Sequence, residues 1–209
     1  MQTNLRIAAL VLTLALPLAA CNEDDIQVPL NEFATPLAAL NTTGVTGTAT
    51  VEIVANVMRI TVSANGLDQT AHAQFINGGH SCPTAANDTN HDGFIDIVEA
   101  QAATGLFLLA LDSTLTIRTD SIVAGFPSGP TIAFSQTALL SAVENSLRGA
   151  PTTPFTTNIP VTGDFNPNGL SVLILGTTMS LPPTVATIPG FTAQQTLPVA
   201  CGVLAQVAT

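Results

Sequence analysis

The sequence predicts an all-β fold, a Greek-key sandwich or flattened barrel with one or two short helices. Short runs rich in Val, Ile and Thr recur between Gly, Pro, Asn and Ser turn signals. With 9% charged residues, no Trp and no Tyr, the composition fits a globular β protein better than a disordered acidic chain. Residues 42–209 are enough for one domain with its own core.

The elements follow in chain order. Residues 1–20 carry one charge, Arg6, then the apolar run Ile7 to Leu16, then Pro17-Leu18-Ala19-Ala20 ahead of Cys21, the layout of a secretory signal. Leu18-Ala19-Ala20-Cys21 resembles the bacterial lipobox, in which the cysteine is acylated and becomes the new amino terminus. The apolar run is too short for a comfortable membrane span, whereas two or three acyl chains anchor a protein that one would release. The expectation is a cell-envelope lipoprotein that meets the membrane through Cys21 alone. Asn22 is not the aspartate associated with inner-membrane retention, so the outer membrane is expected over the inner. Residues 21–41 begin acidic and contain Pro29 and Pro36 without sustained alternation, and they read as a lipidated tether.

Beyond residue 20 the basic residues are Arg59, Arg118 and Arg148 against fourteen acids, a formal charge of −11, and there is no lysine. Such a chain repels nucleic acid and anionic lipid, because phosphate binding depends on cationic side chains. No protein or surface partner can be named from it.

From Thr46 the pattern turns to strands. Thr48–Val54 and Met58–Ser63 are β-branched, alternating runs joined through Ala55-Asn56 and read as a hairpin. Ala71–Ile76, Gly105–Leu111, Thr114–Arg118, Gly169–Gly176 and Leu197–Val207 are further strands. Ser135–Arg148 has helical spacing at Leu139, Leu140 and Val143, with Ser135 as N-cap and Gly149 as stop, so it reads as a helix. The Pro- and Thr-rich stretch Ala150–Gly163 reads as an irregular loop.

Residues Asp88 to Glu99 (DTNHDGFIDIVE) satisfy every position of the EF-hand calcium loop. Calcium is a hard cation that takes six to eight oxygens. Asp88, Asn90 and Asp92 offer side-chain oxygens, Phe94 its backbone carbonyl, Asp96 a carboxylate directly or through water, and Glu99 both oxygens of a closing carboxylate. Gly93 supplies the sharp turn. Ile95 is expected to point inward and His91 outward. Gly78-Gly79 excludes a long helix ahead of the loop, and only a short one, about Ile97 to Ala103, fits before Gly105. A loop without a helix pair has no groove to open, so a static site is expected rather than a sensor.

With Cys21 lipidated, Cys82 and Cys201 remain, and in an oxidising compartment a disulfide between them is the default, two buried free thiols the alternative. Two blocks resemble copper/zinc superoxide dismutase and the related CHRD domains. The first is Gly66-Leu67 with His72-Ala73-Gln74-Phe75-Ile76-Asn77 and Gly78-Gly79-His80-Ser81-Cys82. The second is Leu170–Met179 with Ala200-Cys201-Gly202-Val203-Leu204-Ala205-Gln206. The resemblance implies a superoxide dismutase-like fold, and it pairs Cys82 with Cys201. Copper-bearing members carry a His-x-His pair where this chain has Phe75 and Asn77, and His72, His80 and His91 are its only histidines. Copper cycling needs several imidazoles. His72 reads as a core or hydrogen-bonded histidine, and Asp112, Asp120 and Asp164 as turn residues.

No nucleophile elbow, phosphate loop or separated acid pair is present. A calcium-binding, non-catalytic envelope lipoprotein is therefore the leading expectation. Its rivals are a divergent metal-dependent redox protein using His72 and His80, and a calcium-dependent adhesin.

Overall fold

A computed structural model describes residues 30–115, 125–150 and 152–208, and its fold is all-β. The signal segment, Cys21 and the first part of the expected tether lie outside the described residues. The strands are β1 (Leu30–Ala39), β2 (Thr46–Val54), β3 (Val57–Asn65), β4 (Gln74–Asn77), β5 (Phe107–Ala110), β6 (Thr131–Leu139), β7 (Ser171–Leu175), β8 (Pro198–Val203) and β9 (Ala205–Gln206). They pair in the order β5-β4-β7-β8-β1-β2-β3-β6, all antiparallel, with β9 also on β1, and the sheet curls into a half-barrel. Three short helices, α1 (Ile97–Thr104), α2 (Leu140–Arg148) and α3 (Ala193–Thr196), and a 3-10 turn at Ala85–Asn87 complete the described elements.

The expected hairpin is β2 and β3, in register from Val54↔Val57 to Thr46↔Asn65. Its alternation is the physical cause of its placement. Ala49, Val51, Ile53, Met58, Ile60, Val62 and Ala64 point into the curl, while Thr48, Arg59 and Ser63 face out.

Three expectations are corrected. Residues 30–39 are not tether but the strand that joins the two halves of the sheet, pairing β2 along Leu30–Leu37 and then β8 at Ala38 and Ala39. Pro36 is tolerated because β1 pairs β9 at Phe33 and Ala34 and β8 only from Ala38, so Pro36 falls where that side of the strand has no partner. Gly202 lies against this stretch, and a Cβ there would sit 2.5 Å from the Pro36 carbonyl oxygen.

The second correction concerns Ser135–Arg148. Its first half is β6, paired with β3 without a break from Asn65↔Thr131 to Val57↔Leu139, and the helix starts only at Leu140. Ser135 therefore caps nothing. Long-range pairing overrides the local helical spacing there, as it commonly overrides propensity. Asn56, in the β2–β3 turn, fixes the start of α2: its backbone carbonyl accepts from Leu140 N and its Oδ1 from Ser141 N. The third concerns Thr114–Arg118: Thr114 lies in a turn with Ser113 rather than in a strand, and residues 116–118 lie outside the described residues.

One hydrophobic core fills the curl, from Phe33, Val51, Ile60 and Val62 across to Ile76, Leu109, Val172 and Ile174. A second covers the outer face of β4, β5, β7 and β8, where Phe75, Phe107, Leu173 and Leu175 pack with Ile97 of α1, Leu40, Phe126 and Ile188. This second layer explains why all five residues of β7 are buried. It also contains the disulfide Cys82–Cys201, which ties the segment before the acidic loop to β8.

Candidate functional site in the loop 88–99

The loop hangs between the 3-10 turn and α1, at the end of the second core. α1 begins where the loop ends, as expected, because Asp96 is its N-cap: Oδ1 accepts from Val98 N and Glu99 N at 2.9 and 3.0 Å. Glu99 answers from the third helical position, its Oε2 accepting from Asp96 N at 3.1 Å, a reciprocal capping box. Ile97, Ala100 and Thr104 bury the helix against the sheet. At its far end, Gly79 N donates to Thr104 O at 2.6 Å, an approach so close that a Cβ on Gly79 would meet backbone at 2.2 Å.

Within the loop, oxygen atoms turn inward onto main-chain donors. Asp88 accepts from Asp92 N at 3.2 Å and from Gly93 N at 3.0 Å. Asn90 Oδ1 accepts from Asp92 N, and Asp92 Oδ1 from Phe94 N, each at 2.9 Å. Glu99 Oε1 accepts from Thr89 N and Thr89 Oγ1, both at 2.8 Å, and from Asn90 N at 3.2 Å. Gly93 takes φ +89° and His91 φ +57°, the two left-handed residues that reverse the chain. Ile95 is buried and His91 exposed.

The electrostatics follow from these bonds. The Thr184 hydroxyl holds the Asp92 carboxyl below its ordinary value against the opposing effect of burial, aided by the Phe94 and Asn90 N–H groups. For Glu99 burial pushes upward as the largest single effect, but the hydrogen bonds from Thr89, Asp96 and Asn90 together outweigh it and leave the group lowered. Among the described residues, no three His, Cys, Asp or Glu side chains are gathered closely enough to hold a metal by themselves. The six ligand positions, Asp88, Asn90, Asp92, Phe94, Asp96 and Glu99, nonetheless share one closed turn with an all-oxygen donor set. A Cβ on Gly93 would meet nothing within 4 Å, so what the glycine supplies is the left-handed φ of +89° rather than space.

Three partners of the loop were not legible in the sequence. Asn41, fifty-four positions away, accepts from Ile95 N on Oδ1 at 2.7 Å and donates Nδ2 to Ile95 O and Pro198 O, both at 2.9 Å. Thr184 Oγ1 donates to Asp92 Oδ2 at 2.6 Å, and Ala186 N to Asp96 Oδ2 at 2.8 Å. Only Asn41 left a local trace, an Asn after a strand, a residue that tolerates the left-handed φ of +51° it adopts.

The histidines are separated. His72 is buried, with Nδ1 3.2 Å from Leu175 O and Nε2 3.0 Å from Asp68 O, while exposed His80 places Nδ1 3.0 Å from Gly169 O. Leu175 closes β7 and Gly169 lies two residues before its start, so the two partners flank a five-residue strand that itself spans about 13 Å. Asn77 and Phe75 are buried in β4. Asp112 is a turn residue, its Oδ1 accepting from Thr114 N and Leu115 N; Asp164 is exposed and lies 3.5 Å from Arg148. Asp120 lies outside the described residues. The chain matches no known protein-family model and no curated protein.

Proposed function

We propose that this protein is a calcium-binding lipoprotein of the bacterial cell envelope whose β domain, of the superoxide dismutase-like or CHRD-like kind, has a structural or binding role rather than a catalytic one. The observation that carries the reading is the complete set of calcium-loop positions held on one closed turn, with Gly93 left-handed at its bend and Glu99 in the first turn of the following helix. Asp88, Asn90, Asp92 and the Phe94 carbonyl would hold the ion, with Glu99 closing the sphere. Asp96, which also caps α1 and accepts from Ala186 N, would serve directly or through water. Bound calcium would supply charge neutralisation for the clustered carboxylates and nothing redox-active. The separation of His72 from His80 argues against a shared redox metal site.

Metal analysis and calorimetric titration of the purified, chelator-treated protein test the reading. One calcium per chain and a melting temperature that rises with calcium are expected. Equal melting with and without calcium, or stoichiometric copper with dismutase activity, overturns it. Intact mass of the protein extracted from membranes tests the anchor separately, through the acyl mass expected on Cys21.

A further inference from the structure

We propose that the end of the half-barrel where β1 begins seats directly on the membrane surface, through Val54, Val57 and Leu139. The inference rests on the lipoprotein reading. Among the described residues the large hydrophobic side chains standing exposed include these three, at 39%, 43% and 56%. They are neighbours: Val54 pairs with Val57 and Val57 with Leu139, so they form one row across β2, β3 and β6 on the outer face. Exposed aliphatic side chains that are contiguous, rather than scattered singly, make this row a candidate interaction surface.

The position of this row decides what it meets. The backbone of Leu30, the first residue of β1, pairs with Val54 and so lies in the same row. Cys21 is nine positions earlier, and nine residues reach at most about 30 Å. The opposite end of the same strands presents Thr46, Asn65 and Thr131, all exposed and polar. Three of the six large hydrophobic side chains exposed among the described residues thus share the row that holds the start of β1, Val98, Val161 and Val207 being the others. A cleft of about 440 Å³ opens there as well, floored by Phe33, Ile53 and Phe165. Two rows inward, the next on the same outward face, stand Glu32 and Glu52, with Arg59 3.9 Å from Glu52, so the charge there does not favour an anionic surface. The fitting occupant is a bilayer with zwitterionic headgroups.

The chain contains no tryptophan, so an introduced one is the sole such fluorophore. The processed, lipidated protein carrying Leu139→Trp would be reconstituted into phosphatidylcholine and phosphatidylethanolamine vesicles, with Val57→Trp as a second reporter and Thr131→Trp, at the far end of β6, as the control. Flotation with the vesicles reads the anchor, and quenching by brominated phosphatidylcholine reads the docking. A blue shift and at least threefold stronger quenching are expected for Leu139→Trp and Val57→Trp than for Thr131→Trp, and Val54→Glu should abolish the difference without loss of flotation. Flotation with equal, weak quenching at all three positions overturns the docking and leaves the anchor standing. A concentration-dependent blue shift without bromine quenching also overturns it, in favour of self-association. Failure to float overturns both readings.

Discussion

Asn41 satisfies both backbone polar groups of Ile95 with one side chain, accepting its N–H at 2.7 Å and donating to its carbonyl at 2.9 Å. Ile95 is the buried centre of the acidic loop, and a lone loop has no second loop to complete these bonds. The same amide also reaches Pro198 O, so it joins the β1–β2 turn, the loop and β8.

Asn41→Gly keeps the left-handed backbone and removes all three bonds. A loss of about 2–3 kcal/mol is expected, mostly from the orphaned groups, and Asn41→Ala should cost about 1 kcal/mol more because its Cβ strains the same φ. Denaturant titration in chelator measures the stability, and calcium titration should show weaker binding in both variants.

The acids of the loop should separate into two kinds. Asp96→Ala removes a cap and its bond to Ala186 N, so it should cost about 1–2 kcal/mol with or without calcium. Asp88→Asn keeps one of two accepted hydrogen bonds and Glu99→Gln most of its four, but both lose charge, so they should lower the melting temperature mainly in calcium, where the wild type gains from binding. Melting curves in calcium and in chelator check both, and an equal deficit for Asp88→Asn in the two buffers counts against the ion.

The Cys82–Cys201 bridge spans 119 positions. Constraining an unfolded loop of that length stabilises the fold by about 5 kcal/mol on the chain-entropy model. The double variant Cys82→Ser, Cys201→Ser should therefore lose most of its stability margin, read as the shift in denaturant midpoint, and reduction of the wild type should reproduce it.

Asp68 lies outside the loop, at the other side of Leu67. Thr178 N and the Thr177 hydroxyl hold its carboxyl below the ordinary value, against some opposing burial and with a small contribution from His72. A carboxyl lowered in the folded state adds stability above its unfolded value of about 3.9, and that stability is lost as pH falls through the folded value. Asp68→Asn should flatten the wild type's loss of melting temperature between pH 5 and pH 3, roughly the range around those values.

What the sequence made legible was local. The β2–β3 hairpin followed from alternation of Val, Ile and Met with polar residues, α1 from the short stretch left before Gly105, and the acidic loop from ligand types at fixed spacing. What it hid was set by distant partners. Asn31 to Ala39 has too little alternation and a proline, and it becomes a strand because β2 and β8 flank it. Ser135 to Leu139 has helical spacing, yet five β3 residues claim it. The amide of Asn41 and the hydroxyl of Thr184 meet the loop across 54 and 92 positions, which no window of local sequence contains.

β1 also sets a condition on assembly. It is the first of the described strands to leave a ribosome or a translocation pore, but one of its edges is completed by Cys201 and Ala200, among the last described residues to emerge. Contacts of such sequence separation form late and slow the folding of the whole domain. Until then β1 offers an open strand edge to any neighbouring chain. A protein with this topology therefore depends on keeping its nascent chains apart, and crowding of unfinished copies is where its yield would be lost.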